Sequence, residues 1–133
     1  MIDYDNEIYT YIYNAIKAKF PNCYVTGNSE NLPPKFPAVA ISVMSNVVYN
    51  KTRDTGSNEN HVAVAIQTDV FSNKKDTPIS ECKAIMAVAD NAYLELGFSR
   101  NFYEKIPNSD SNITRFTARH RAVIDKNGKI YRR

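Results

Sequence analysis

His61 and His120, Cys23 and Cys82, and Asp69 beside Gln67 carry side chains with the chemistry of a base, a nucleophile or a metal ligand. Their spacing assembles none of those functions. The two histidines lie far apart and match no zinc-ligand pattern. There is no phosphate-cradling glycine loop and no nucleophile elbow. A cysteine nucleophile needs a neighbouring base and an electropositive setting that holds the thiolate. Cys82 falls instead on an apolar helical stripe with Ile85, Met86, Ala89, Ala92, Tyr93 and Leu96. His120 falls on the apolar side of an alternating strand, where a hydrogen-bonded core histidine is expected. Asp69 reads as a solvated or interface carboxylate. The expectation is no catalytic residue, no bound metal and no cofactor, with both cysteines as free thiols, since two cysteines make no disulfide framework.

A second pattern is electrostatic. From Asn112 to Asp125 the chain alternates, with Arg115, Arg119 and Arg121 on one side beside Ile113, Thr117 and Val123. Phe116, Ala118, His120, Ala122 and Ile124 take the other side. Residues 112–133 hold seven basic side chains against Asp125 alone, although the whole chain of 133 residues carries only +3. A basic C-terminal strand therefore sits on a slightly acidic body. Three uses follow for the arginines: contact with nucleic acid, pairing with acidic groups of a neighbouring subunit, or a solvated surface. Sheets that bind nucleic acid add aromatic stacking platforms to the same face. The arginine side of this strand has none, so sequence-specific binding is not expected, while loose electrostatic contact with DNA stays open. Arginine forks suit interfacial carboxylates, and Asp54, Glu59, Asp69 and the acidic start of the chain are candidate partners.

The elements that position these residues follow from periodicity and punctuation. Ile8, Ile12, Ala15, Ile16 and Phe20 place a helix over residues 3–20, acidic at its start and basic at its end, stopped by Pro21. Residues 23–26 form a short strand candidate. Residues 27–37, with Pro33, Pro34 and Pro37, run extended without regular structure. Residues 38–49 form a strand with Val39, Ile41, Val43 and Val47 on one side and Ala38, Ala40, Ser42 and Met44 on the other. Residues 61–72 form a second strand, with Val62, Val64, Ile66 and Val70 opposed to Ala63, Ala65, Gln67, Asp69 and Phe71. These two strands make an antiparallel hairpin joined by the long polar loop Asn50–Asn60. A second helix is capped by Thr77, started by Pro78 and ended by Gly97. Residues 98–106 are extended, and Asn127-Gly128 turns the arginine strand into a short return at Lys129 to Tyr131.

The fold class expected is α+β: two helices packed on one face of a mostly antiparallel sheet, with a long β-hairpin loop, in one domain spanning residues 1–133. The second sheet face is not strongly polar, since Ala38, Ala40, Met44, Ala63, Ala65 and Phe71 fall there. A homo-oligomer that covers this face or the sheet edges is expected. No run approaches the apolar length of a membrane span, and no secretion signal opens the chain, so a soluble protein made in the cytoplasm is expected. The Asn-x-Thr triplets at Asn50 and Asn112 are then chance matches.

The layout resembles the tail terminator, or tail completion, proteins of lambda-type long-tailed bacteriophages. The resemblance covers nearly the whole chain. It rests on the amphipathic opening helix, LPPKFPAVAISV at 32–43, VAIQTDVFSNKK at 64–75 leading into the second helix, LGFSRNF at 96–102 and RFTARHRAVID at 115–125. It implies a structural virion protein whose subunits form a ring, typically a hexamer, that caps the tail tube. Such a ring stops tube polymerisation, offers a joint to the head–tail connector and lets genome DNA pass. On that resemblance, Lys51, Arg53 and Asp54 at the loop tip, with Glu59 and Asp69, are expected at a subunit or tube interface. Arg115, Arg119 and Arg121 are expected at a subunit boundary or the channel wall. The alternatives are a neck or head-completion protein bound on the portal side and a nucleic-acid-binding domain.

Overall fold

Strict alternation of β-branched and small residues gives the centre of the sheet. In the computed structural model, which describes residues 1–27, 33–48, 60–107, 110 and 112–132, β3 (His61–Ser72) lies between β2 (Ala38–Val48) and β5 (Thr114–Asp125), antiparallel to both. β1 (Tyr24–Thr26) flanks β2 in parallel, and β4 (Ser99–Ile106) flanks β5 in antiparallel pairing. The order is β1-β2-β3-β5-β4, with β6 (Ile130–Arg132) also on β5. The fold is α+β, two helices with a mostly antiparallel six-stranded sheet.

Both helices lay an apolar stripe on one sheet face. α1 (Asp5–Lys19) buries Ile8, Ile12 and Ile16, and α2 (Pro78–Leu96) buries Cys82, Ile85, Met86, Ala89, Ala92 and Tyr93. They meet Val39, Ile41, Val62, Val64, Ile66, Val70, Phe116, Ala118, Ala122 and Ile124 of the sheet in one core. Full burial of each large aliphatic side chain stabilises by about 1.5–3 kcal/mol, so this layer dominates the stability. Asp5 and Glu7 in the first turn of α1, and Lys17 and Lys19 in its last, complement the helix dipole. Gly97 ends α2 at φ 105°, where its N–H bonds to the Tyr93 and Leu94 carbonyls.

Two local expectations need correction. Thr77 precedes α2, but its side chain makes no capping hydrogen bond. Glu81 in the first turn instead accepts a 2.6 Å hydrogen bond from the Ser72 hydroxyl, tying the end of β3 to α2. In β2, Val47 does not share a face with Val39. The register shifts between Val43 and Ser45, so Ser45 stands opposite Ala65 and Val47 opposite Ala63. Met44 is the inserted residue of a bulge, and past it every side chain changes face. Asn46 thereby reaches the helix side, where its amide donates to the Ile2 carbonyl at 3.0 Å.

Candidate interface on the open face of the sheet

The face away from the helices is assembled by the β3–β5 register. Phe71 pairs with Arg115, Asp69 with Thr117, Gln67 with Arg119, Ala65 with Arg121 and Ala63 with Val123. Opposed residues of an antiparallel pair share a face, so the arginine row of β5 runs beside the polar row of β3.

Asp69 sits at the centre of this face and is only 2% exposed. One carboxylate oxygen accepts from Nε and Nη2 of Arg115, both at 3.1 Å, and from the Thr117 hydroxyl. The other accepts from the Gln67 amide at 3.1 Å. Gln67 in turn accepts from Nε of Arg119 at 3.2 Å. A continuous polar chain thus runs Arg115–Asp69–Gln67–Arg119. From the sequence, Asp69 reads as a solvated or interface carboxylate. Its carboxylate is instead buried and bonded within its own chain, because the register brings Arg115 and Thr117 beside it.

The two remaining arginines are held by neutral amides. Arg119 bonds to Gln67, and Nε of Arg121 donates at 3.2 Å to the Asn101 side chain once that amide is oriented to match its neighbours. Asn101 then donates to the Arg119 carbonyl at 2.8 Å. Neither Arg119 nor Arg121 meets a carboxylate among the described residues. Arg115 lies over the Phe71 ring at 5.6 Å and Arg119 over the Phe102 ring at 4.8 Å. The strand itself has no aromatic residue on this side, as read from the sequence, but its neighbours β3 and β4 supply two. Neither is a vacant stacking platform: Phe71 is fully buried and Phe102 is covered by Arg119. A guanidinium over a ring is held partly by its attraction to the ring quadrupole.

Lys51, Arg53, Asp54 and Glu59 lie outside the described residues. Sequence reasoning missed Phe102 and Asn101. The bulge between Arg100 and Phe102 puts Phe102 opposite Arg119, and no signal in the sequence marks that bulge.

Cys23, Cys82 and His120 are locked into the core, while His61 is half-buried at the start of β3, edge-on to the Tyr131 ring at 5.6 Å. Burial pushes the Cys23 thiol up to about 11 and, with Glu81 adding to it, the Cys82 thiol up to about 12, so both stay protonated at neutral pH. His120 is fully buried. Its Nε2 meets the Asp90 carboxylate at 2.8 Å, and its ring stacks on Tyr93 at 4.2 Å. Asp90 also holds Arg100 at 3.1 Å. Burial lowers the histidine pKa, opposed by the Asp90 hydrogen bond and charge. This is the core histidine that the alternation of β5 implies, with its partner on α2 now identified. Among the described residues, no cluster of three or more His, Cys, Asp or Glu is placed to hold a metal ion. A cleft of about 470 Å³ lies between the start of α1 and β2, lined by Asp5, Asn6, Ile8, Tyr9, Ile41 and Val43 among others, with no nucleophile–base pair in it. No described helix is long and apolar enough to cross a membrane.

The fold and this face define an α+β protein with one helix-clad sheet face and one face of small residues crossed by anchored arginines. No protein-family model matches the chain, and no curated protein matches it.

Proposed function

We propose that this chain is a tail terminator of a long-tailed bacteriophage, a structural virion subunit and not an enzyme. Its copies form a ring, expected to be a hexamer, on the end of the finished tail tube. The ring ends polymerisation of the tube protein and offers its other side to the head–tail connector. Assembly takes place in the host cytoplasm, and the product resides at the tail–neck junction of the virion. Genome DNA passes through the ring without being read.

One observation carries this reading beyond the patterns of the sequence. Arg119 and Arg121 hold positive charge on an open sheet face, steadied by the amides of Gln67 and Asn101 and, among the described residues, not neutralised by a carboxylate. Amide partners orient a guanidinium and leave its charge intact. Such a row suits a surface that meets phosphates without sequence preference or receives the acidic groups of a neighbour. The thiols and His120 are buried, which fits a role in assembly.

Electron microscopy of the purified protein, alone and mixed with tail tubes or portals, tests the reading. A ring seated on the tube end is the expected result. A ring seated on the portal would make the chain a neck protein, and no ring with either would refute both. The double variant Arg119→Glu/Arg121→Glu should lose ring formation or DNA delivery. Fully infectious particles built with that variant would refute the role given to the two arginines.

A further inference from the structure

β2 has two unlike halves. Its first residues, Ala38, Val39 and Ala40, pair with β1 on one side and β3 on the other. From Ile41 to Val48, β3 is the only strand beside it among the described residues. Among the described residues, this half presents the backbone groups of its outer side as an open sheet edge. The segment ISVMSNVV contains neither a charged residue nor a proline. Val43, Met44, Val47 and Val48 are 39, 48, 57 and 37% exposed.

Proteins normally blunt such edges with charge, proline, bulges or short length, because an open edge recruits strands. The opposite edge of the same sheet follows that rule. β4 carries Arg100, Glu104 and Lys105 and a bulge at Asn101. On the β2 edge the bulge at Met44 is the sole such device, over an uncharged stretch of the kind that pairs readily. An edge left in that state is explained when a strand covers it in the assembled protein.

We propose that the outer edge of β2, from Ile41 to Val48, is the joint between copies of this chain and takes β4 of the next copy as an added antiparallel strand. This deepens the ring reading by naming the segments that meet. The occupant follows from the sheet itself. β2 is antiparallel to β3, β3 to β5 and β5 to β4. β2 and β4 therefore run in opposite directions, so a second sheet set beside the first in the same sense brings its β4 antiparallel to β2. The free half of β2 and the whole of β4 are both eight residues long. Their chemistry also differs in the way a heterologous joint needs. The charges and bulge of β4 blunt it as a free edge, whereas the uncharged β2 tolerates a charged neighbour. A joint between two different edges leaves one of each free on every copy, and repeating it closes a ring when the rotation permits. Backbone hydrogen bonds would supply the affinity, as in other strand additions.

The test uses the full chain and two independent readouts. Val43→Lys/Val47→Lys places charge at two side chains that are already exposed. The expected result is an assembled wild type by light scattering and a monomeric variant with unchanged circular dichroism and melting. The second readout is disulfide trapping, for which the buried Cys23 and Cys82 are a silent background. Chains carrying Ser45→Cys and chains carrying Glu104→Cys, two positions that the registers put on the same open face, should cross-link when mixed, and neither should cross-link alone. Cross-linking by Ser45→Cys alone would show a two-fold β2 joint and overturn the proposal. So would a variant that assembles like wild type, or a wild type that stays monomeric at its solubility limit. Rings on tail tubes that persist in Val43→Lys/Val47→Lys would refute the joint and leave the terminator reading standing. Mixed cross-links without rings on tubes would uphold the joint and refute the terminator reading.

Discussion

The two faces of this sheet reach burial by different means. On the helix face, α1 and α2 cover apolar side chains, and the buried His120 of that layer is kept beside Asp90. On the open face no helix among the described residues covers the strands, yet Asp69, Thr117 and Phe71 are buried. There the cover is made by side chains of the sheet and of the segments leading into it, with Arg115 lying over Asp69 and Phe71 and with Ile113 and Phe36 packed into the cluster of Phe71. Long arginine stems shield what lies beneath while their heads stay near water. A face covered by charged side chains can be opened or re-covered by a partner at far smaller cost than one covered by helices. That difference separates the layer that makes the fold from the layer available for assembly.

The largest expected effect tests whether the open face is a true second core. Asp69→Ala leaves Arg115 without its buried carboxylate, and breaking a buried pair from one side costs about 3–5 kcal/mol. Urea unfolding should show that loss. Replacing both partners, as Asp69→Leu with Arg115→Met, should recover much of it, because no uncompensated charge remains. On the helix face, Ile85→Ala should cost about 2–5 kcal/mol through lost burial and the cavity left behind, and no second substitution on the sheet should rescue it. Equal rescue on both faces would erase the contrast.

The helix face was legible in the sequence, since Ile8, Ile12 and Ile16 and the alternation of β3 and β5 announce it by period alone. The late half of β2 was not. Met44 is an ordinary strand residue, and nothing in its type marks a bulge, so Val47 was grouped with Val39 although the register puts it on the other side. The arginine row was legible, but its partners were not. Asp69 and Arg115 are 46 positions apart, and which carboxylate an arginine meets depends on strand order, which periodicity leaves open. The open edge of β2 was hidden for the same reason: an edge exists only relative to the strands that do or do not flank it.

A smaller effect comes from the ionisable residue on the helix face. Asp90 and Tyr93 from α2 and Arg100 from β4 surround His120, while β3 presents Ile66 opposite it. Burial lowers its pKa from 6.5. The unfolded chain then binds the proton more readily than the folded one, so stability contributed by the neutral ring is present above 6.5 and declines as the pH falls from there toward the lowered folded value. Each unit of lowering corresponds to about 1.4 kcal/mol. Unfolding free energy measured from about pH 7 to about pH 5 should fall more steeply in the wild type than in His120→Gln. Parallel slopes would mean that Asp90 offsets the burial and that the helix face is indifferent to acid in this range.

The smallest expected effect separates the two ways in which the open face holds its arginines. Arg115 is fixed by a carboxylate, whereas Arg119 has an amide and the Phe102 ring at 4.8 Å. Removing the ring in Phe102→Ala should cost about 0.5–1 kcal/mol of stability, the scale of a cation–π contact near the surface. The larger consequence should be positional. With its stacking partner gone, Arg119 gains freedom while its charge is unchanged, and any partner that relies on a fixed guanidinium loses affinity through the added ordering cost. Assembly should therefore weaken in Phe102→Ala, be restored in Phe102→Tyr and be lost further in Arg119→Glu. If assembly ignores Phe102→Ala but fails in Arg119→Glu, charge alone matters on this face and its rigidity does not.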